Sequence, residues 1–362
     1  MARKLKFSPK FNHPGQSLFD FDNSSKFIDG VPVPPPSVTA VDGDTPGSVV
    51  DFTVNITTPV FEPKSHADYI NSIAIDTNRL NTSSVVKFMS FGSGSSGNCS
   101  YVGDNTGGFL IDAGVDLDVV REGLKANGLS FDKIKGICLT HDHSDHVRFV
   151  YSLVRKNPSI GVYCTPKTLS GIVRRHSVSR RLKDYHRPIY KEFAFKIGNF
   201  EITAFDVSHD GTDNSGFFIR NGEHTMSIAT DLGHISDRVD YYMRQARYIV
   251  IESNYDASML ANGTYPMHLK SRIAAANGHL DNADAARFLA EIISPKLSHI
   301  FLCHVSKDNN TPELALQTVT QGLIGAGVTQ IGDASESIEA RNCPVQLMVL
   351  PRYDATRLFT FR

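Results

Sequence analysis

The histidine-rich segment THDHSDH (residues 140–146) directly follows the apolar segment IKGICL (134–139). A short apolar run with polar residues on both sides predicts a buried strand, and the histidines begin where that strand ends. The loop offers imidazoles and a carboxylate, which are ligand types that suit Zn²⁺, Mn²⁺ or Fe²⁺. Polar residues in such a run add little to a core, so we interpret four of them as candidate metal ligands: His141, His143, Asp145 and His146.

The chain from Val85 to its last residue has the pattern of an α/β domain. Short apolar runs such as GGFLIDAG (107–114), TMSIATD (225–231) and SHIFLCH (298–304) predict strands, and several of them end in His or Asp. Segments such as ADAARFLAEIIS (283–294) and TPELALQTVTQGL (311–323) have helical spacing. Strands interleaved with helices predict a layered α/β domain over residues 85–362 that delivers polar side chains to one edge of a sheet.

Residues 1–84 differ in composition from the rest of the chain. Nine of the 17 prolines lie there, including the run at 34–36. We predict an N-terminal Pro-rich extension, a partly ordered arm with one strand at 49–61 and a short helix near 67–75. A separate functional module is the alternative.

Composition excludes several classes of protein. A formal net charge of −1 over 362 residues excludes a polycation, so any nucleic-acid affinity has to come from a local patch. There is no run of about 18 apolar residues and no apolar signal segment, which predicts a cytoplasmic protein that does not enter a membrane. The five cysteines form no CxxC pair and therefore indicate neither a disulfide framework nor a thiolate zinc site.

The loop at 140–146 resembles the HxHxDH signature of the metallo-β-lactamase superfamily, and further motifs of that superfamily follow in order. The resemblance implies the metallo-β-lactamase fold, a four-layer αββα sandwich, and it implies that Asp112 braces the ligand loop through hydrogen bonds. It also implies a centre of two divalent ions, with His141, His143 and His209 at one ion, Asp145, His146 and His304 at the other, and Asp231 bridging both.

Such a centre predicts hydrolysis. Two divalent ions about 3.5–4 Å apart share a hydroxide that attacks the substrate, and they neutralise charge on the oxygens of the transition state. Asp145 and Asp231 are then catalytic as well as metal-binding.

A closer resemblance narrows the substrate. The segments SFGSGSSGNCSYV (90–102), 252–289 and HVSKDNNTPELA (304–315) are similar to motifs of the WalJ/YycJ-like branch of the superfamily. That resemblance implies a phosphodiesterase, specifically a 5′→3′ exonuclease acting on DNA. The chain departs from the branch at Tyr255, where the branch has histidine, and at Asp281, where it has serine.

Two further predictions concern the substrate. Ser95, Ser96, Gly97 and Asn98 lie in a glycine-rich loop whose N–H groups and hydroxyls are able to hold a phosphate, although a tight turn between strands gives the same pattern. His279 is a candidate proton donor to the leaving oxygen, oriented by Glu252 or Asp256. A helix-capping role for the GHLDN stretch (278–282) is the competing interpretation.

The segment 173–187 is strongly basic. It predicts contacts between the DNA backbone and its arginines, and a solvated basic face is the alternative. The arginines we single out are Arg174, Arg175, Arg180 and Arg181.

Three other functions compete with DNA hydrolysis. A hydrolase of a small phosphodiester, such as a cyclic nucleotide, would use the same two-metal site without needing a basic groove. Thioester, lactone or β-lactam hydrolysis is disfavoured by the 93–98 and 278–282 motifs. A non-catalytic nucleic-acid-binding module is disfavoured because every expected ligand is present.

Overall fold

The computed structural model describes residues 85–335 and 343–362, together with the strand assignments at 27–28 and 31–32. The chain divides into two compact units, Met1–Lys64 and Ser65–Arg362. In the first unit, β1 (Phe27–Ile28) pairs antiparallel with β2 (Val31–Pro32). The predicted strand at 49–61 and the predicted helix near 67–75 lie outside the described residues, as does the rest of the predicted arm apart from β1 and β2.

The second unit contains two sheets. Among the residues described, the first sheet has seven strands, in the spatial order β17 (Phe359–Phe361), β3 (Val86–Gly92), β4 (Cys99–Gly103), β5 (Gly108–Ile111), β6 (Ile134–Cys138), β7 (Gly161–Cys164) and β8 (His186–Pro188). The strands from β5 to β8 run parallel, and the rest of this sheet is antiparallel.

The second sheet has eight strands within the same residue ranges. Their spatial order is β15 (Ile331–Asp333), β16 (Val345–Val349), β14 (His299–Cys303), β13 (Tyr248–Glu252), β12 (His224–Ala229), β11 (Ser215–Asn221), β10 (Phe200–Asp206) and β9 (Ala194–Ile197). The strands β12, β13, β14, β16 and β15 run parallel, and β9 to β12 form an antiparallel meander.

The described helices begin where sequence signals for helix starts occur. Thr165 and Thr311 each cap a helix whose first residue is proline, and Asp281 caps another through a hydrogen bond from the N–H of Ala283. The helices are α1 (Leu117–Ala126), α2 (Ser144–Val147), α3 (Val150–Lys156), α4 (Pro166–Arg175), α5 (Asp237–Met243), α6 (Ala257–Asn262), α7 (Met267–Ile273), α8 (Asn282–Ile292) and α9 (Pro312–Gly325). Short 3₁₀ helices span Phe131–Lys133 and Arg180–Tyr185.

Three apolar layers hold these elements together. Side chains from both sheets form the middle layer, while α1, α3 and α4 cover the outer face of the first sheet and α5, α8 and α9 cover that of the second. Strand β13 shows the alternation, because Tyr248 and Val250 enter the middle layer and Ile249 and Ile251 enter the outer one. The order helix–sheet–sheet–helix confirms the predicted four-layer αββα sandwich.

The two C-terminal strands lie in different sheets. The apolar runs at 345–350 and 357–361 contain β16 and β17. Strand β16 pairs with β14 and β15, whereas β17 pairs with β3. The segment between them therefore crosses from one sheet to the other. Among the residues described, no helix combines the length and apolar character needed to span a bilayer.

Candidate metal centre

The predicted ligands come together at one edge of the sandwich. Each follows the end of a strand: the 141–146 loop follows β6, His209 follows β10, Asp231 follows β12 and His304 follows β14. Within each of four groups, the potential ligand atoms lie within 4.8 Å of one another. The groups are His141/His143/His209, Asp145/His146/His304, His141/His146/Asp231 and Asp231/Glu252/His279/His304. The first two groups are those that the superfamily resemblance implies.

Asp231 lies between these two groups. Its Oδ2 is 3.1 Å from Nε2 of His146, and its Oδ1 is 3.5 Å from Nε2 of His304 and 3.7 Å from Nε2 of His209. One carboxylate thus faces histidines of both groups, as a bridging ligand would.

Buried hydrogen bonds orient the imidazoles. Asp112 Oδ2 lies 2.7 Å from His146 Nδ1, and Asp112 Oδ1 accepts a hydrogen bond from the Thr140 N–H at 2.8 Å. The Gly278 carbonyl lies 2.8 Å from His209 Nδ1. Because Nδ1 of each ring is held in this way, Nε2 is directed into the cluster, which is how metal-binding histidines are commonly arranged.

Backbone strain accompanies this placement. Asp112, Asp231 and His304 have φ of 63°, 52° and 53°, in the left-handed region that non-glycine residues rarely adopt. Three such residues where strands end at the same edge indicate that packing forces the backbone to aim these side chains.

The donor set fits divalent cations. Among the described residues, the buried Nε2 atoms of His141 and His304 have no hydrogen-bond partner, which is costly unless a ligand satisfies them. Burial, reinforced by the neighbouring His146, holds the pKa of His141 well below its usual range, so the ring is in the neutral form that coordination requires. Burial would raise the pKa of Asp231, but the imidazoles of His304 and His146 outweigh it and keep that carboxyl ionised.

A histidine and a glutamate adjoin the cluster. Nδ1 of His279 is 2.7 Å from Oε1 of Glu252, and the ring of His279 stacks on that of His304 with centroids 5.2 Å apart. Asp256, the other candidate for orienting His279, instead caps α6 by accepting from the N–H of Met259. Glu252 is therefore the partner of His279, and the competing capping role in the GHLDN stretch belongs to Asp281.

The glycine-rich loop at 93–98 packs against the ligand loop. The Asn98 side chain accepts from the Gly94 N–H at 2.7 Å, and its Nδ2 lies 2.9 Å from His146 Nε2 and 3.2 Å from Asp145 Oδ2. Ser95 is exposed, whereas Gly97 is buried against the backbone of Gly114. Asn98 therefore both closes the loop as a turn and lies beside predicted metal ligands.

Comparisons with known proteins agree with this geometry. Residues 108–302 match the family described as the beta-lactamase superfamily domain. The exodeoxyribonuclease YycJ of Bacillus anthracis is 34% identical over 255 residues, which are 69% of this chain and 93% of that protein. The exodeoxyribonuclease WalJ of Streptococcus pneumoniae is 30% identical over 247 residues, 67% of this chain and 91% of that protein.

The chain belongs to the metallo-β-lactamase superfamily. Within it, the chain is a metal-dependent hydrolase of the WalJ/YycJ-like branch. The fold comparison is consistent, because the metallo-β-lactamase fold protein YhfI from Bacillus subtilis superposes with a TM-score of 0.55 at 13% identity, covering 77% of this chain and 100% of that one.

The predicted basic segment lies beside the ligand loop of this superfamily member. Arg175 NH1 is 3.3 Å from the buried Asp142 Oδ1, and Arg174 NH2 is 3.3 Å from the Thr212 hydroxyl. Arg180 is exposed, and Arg181 pairs with Asp184 at 3.5 Å. Arg175 therefore braces the ligand loop through Asp142, while Arg174, Arg180 and Arg181 are exposed on the surface.

Two residues next to the cluster were not predicted from the sequence. Asp210 Oδ1 lies 3.2 Å from Nε2 of His143, and its Oδ2 accepts from Arg272 Nε at 2.7 Å. Asp210 follows the predicted ligand His209 directly, and this position in the sequence could have indicated that it lies near the cluster. Arg352, in the C-terminal segment, reaches Ser95 Oγ at 3.2 Å, and no local pattern marks it.

Proposed function

We propose that this chain is an exonuclease that hydrolyses DNA in the 5′→3′ direction at a centre of two divalent ions. The observation that carries the proposal is the buried cluster of histidines and carboxylates at the edge of the sandwich, which includes a hydrogen-bonded histidine–glutamate pair. The choice of DNA as substrate is supported by two relatives named exodeoxyribonucleases, which are matched over more than nine-tenths of their lengths.

The proposed ligands divide between the two ions as the groups do. His141, His143 and His209 would hold one ion, Asp145, His146 and His304 the other, and Asp231 both. When bound, such ions supply a water activated near neutral pH and neutralise the charge that develops on phosphate oxygens. Zn²⁺ and Mn²⁺ both suit this set of imidazoles and carboxylates, and Fe²⁺ suits it too.

His279 has the position of a general acid. Burial would lower the pKa of His279, but the Glu252 carboxylate outweighs this effect and raises it. The imidazoles of His279 and His304 in turn lower the pKa of Glu252 to about 2, against the opposing effect of burial. Because Glu252 is an anion and only accepts, Nδ1 of His279 donates to it, and Nε2 is the nitrogen left to deliver a proton to the leaving oxygen.

The test is digestion of 5′-phosphorylated duplex DNA by chelator-stripped protein to which Mn²⁺ or Zn²⁺ has been restored. Duplicate substrates labelled at the 5′ or the 3′ end report the direction, since 5′→3′ digestion releases the 5′ label first. Asp145→Ala and His143→Ala are expected to abolish hydrolysis while leaving the circular dichroism spectrum unchanged. Glu122→Ala, at an exposed position of α1, is the matched control and should retain full activity.

Two results would contradict the proposal. Cleavage of a cyclic nucleotide with DNA left intact would favour the small-phosphodiester hydrolase. Loss of the folded spectrum in Asp145→Ala would mean that this carboxylate supports the fold and does not serve the chemistry.

A further inference from the structure

An arginine from the C-terminal segment lies against the glycine-rich loop beside the metal centre. Arg352 donates from NH1 to Ser95 Oγ at 3.2 Å and from NH2 to the Val305 carbonyl at 2.6 Å. Val305 follows the predicted ligand His304, whose own N–H donates to Ser93 Oγ at 2.9 Å. Arg352 therefore contacts both the residue next to a predicted ligand and the loop that hydrogen-bonds to that ligand.

The contact requires a glycine. Gly94 has φ of +149°, and a Cβ at that position would lie 2.9 Å from NH1 of Arg352. Any larger residue would displace the guanidinium from the loop. The guanidinium therefore packs directly against the backbone of the loop at Gly94.

Arg352 has only neutral partners. Within residues 85–335 and 343–362 it forms no ion pair with a carboxylate, and its contacts are a hydroxyl, a carbonyl and the face of the Tyr353 ring. A guanidinium with five donors and no acid partner retains its capacity to bind an anion bidentately.

A second arginine contacts the same loop. The exposed Arg148 donates to the Ser96 carbonyl at 3.4 Å and is likewise without an acid partner in the described ranges. The Ser96 hydroxyl is buried and has no hydrogen-bond partner among those residues. Two arginines thus contact a loop that carries serine hydroxyls. The loop contains no acidic residue between Gly92 and Asn98.

We infer that Arg352 and Ser95 form an anion subsite beside the metal centre, which takes a substrate phosphate adjoining the one that is hydrolysed. This inference rests on the proposed function, since a DNA strand presents phosphates in series whereas a cyclic nucleotide presents only one. Tyr353, which is 61% exposed next to the guanidinium, provides an aromatic face for the base attached to that phosphate.

The test compares two substrates of the metal-loaded protein, a single-stranded oligonucleotide and bis(p-nitrophenyl) phosphate. The second has one phosphodiester and no adjoining phosphate. Arg352→Gln is expected to lower kcat/KM on the oligonucleotide by about 10-fold or more, as loss of a charge-assisted hydrogen bond does, and to change it less than about 2-fold on the small diester. Arg352→Lys should recover part of the loss, because it retains the charge.

A binding measurement gives an independent readout. The affinity for a cleavage-resistant phosphorothioate oligonucleotide is measured by fluorescence anisotropy at several salt concentrations. Arg352→Gln should reduce the slope of log affinity against log salt by about 0.7, the value for one lost phosphate contact on a single strand. Arg155→Gln, at an exposed arginine in the last turn of α3, is the matched control and should leave both slope and turnover unchanged.

Equal losses of Arg352→Gln on both substrates would overturn the subsite, because they would show that the side chain only supports the backbone next to His304. An unchanged salt slope would also overturn it. If the wild-type protein cleaves the small diester and leaves every oligonucleotide intact, the nuclease proposal fails, and the salt slope alone then decides the subsite.

Discussion

Glu252 connects two histidines with different predicted roles, the general acid His279 and the metal ligand His304. Its Oε1 lies 2.7 Å from Nδ1 of His279 and 2.9 Å from Nδ1 of His304, while its Oε2 accepts from the backbone N–H of Leu232 at 2.6 Å and of Leu280 at 3.1 Å. A fully buried carboxylate with four donors stays ionised and fixes the orientation of both rings. One buried side chain therefore supports both the proposed metal site and the proposed general acid.

The pH dependence of turnover should reflect this pair. Because Glu252 raises the pKa of His279, the acid form of that ring persists to higher pH than in an ordinary histidine, and kcat should fall on the alkaline side as pH passes that raised pKa. Glu252→Gln removes the charge that raises the pKa of His279, so the alkaline decrease in kcat should move to lower pH. The kcat–pH profile of the two proteins checks this, and an identical alkaline limb in both would contradict it.

Replacing the ring itself gives a second test of the same residue. His279→Ala should lower kcat by about 100-fold or more, the usual contribution of general acid catalysis, while metal content measured by atomic emission stays the same. An unchanged rate would remove His279 from the mechanism.

The loops that follow the strands are held in place by backbone hydrogen bonds between them. The loop after β5 bonds to the ligand loop, with Ala113 N–H donating to His146 O at 2.7 Å. The glycine-rich loop bonds to both, since Asn98 N–H donates to Asp145 O at 2.8 Å and Asn98 O accepts from Gly114 N–H at 2.9 Å. The geometry of the ligands thus depends on the contact of three loops that follow different strands.

Gly114 should tolerate no side chain. A Cβ there would overlap the Asp145 carbonyl and lie 2.7 Å from the Asn98 nitrogen, so Gly114→Ala has to push the ligand loop away from its neighbours. We expect a loss of about 1–3 kcal/mol in the free energy of unfolding, as overpacking costs, together with reduced metal affinity. Gly325→Ala, in α9, is the control, because a Cβ there would meet no described atom within 4 Å apart from its own helix. This variant should be neutral or stabilising in urea unfolding. Full metal affinity in Gly114→Ala would contradict the expectation.

His299, at the start of β14, should make the fold sensitive to acid. Burial, with the nearby Arg357 adding to it, lowers the pKa of His299 from 6.5 to about 4. The unfolded chain therefore binds this proton more readily than the folded one, so stability is complete above about pH 6.5 and is lost as pH falls towards 4. Because His299 is partly exposed, the free energy of unfolding lost over this pH range is only about 1–2 kcal/mol. His299→Gln should flatten the dependence of unfolding free energy on pH in this window, and an unchanged slope would contradict the assignment.

The two sheets contribute ligands jointly. The first sheet delivers the 141–146 loop, and the second delivers His209, Asp231 and His304. Ions held between them would cross-link the two halves of the sandwich in addition to the middle apolar layer. Metal binding is then linked to folding, since the ligand cluster exists only in the native arrangement.

Metal removal should consequently lower the melting temperature. A ligand present at 100 times its Kd stabilises the native state by about 2.7 kcal/mol, which corresponds to about 5 °C for a domain of this size. Scanning calorimetry before and after chelation measures the shift, and adding Zn²⁺ or Mn²⁺ back should reverse it. His304→Ala combined with Asp145→Ala should show a much smaller shift, and a full shift in that variant would contradict the proposed ligands.

Patterns confined to neighbouring residues predicted much of this molecule. Apolar runs of four to eight residues that end in His or Asp predicted the strands and the edge at which they meet, because the alternation of a strand is a local property. The contiguous 140–146 loop and the spaced motifs that follow it predicted the superfamily, and the αββα fold came with that resemblance.

The contacts between distant side chains were determined by the tertiary structure. It selected Glu252 over Asp256 as the partner of His279, paired Arg175 with Asp142, and brought Arg352 to Ser95 across 257 positions of the chain. It also placed the successive strands β16 and β17 in different sheets, because the segment between them crosses from one sheet to the other. Such contacts depend on how two twisted sheets pack and on the direction of each side chain at a strand end. Neither is encoded in the spacing of residues along the chain.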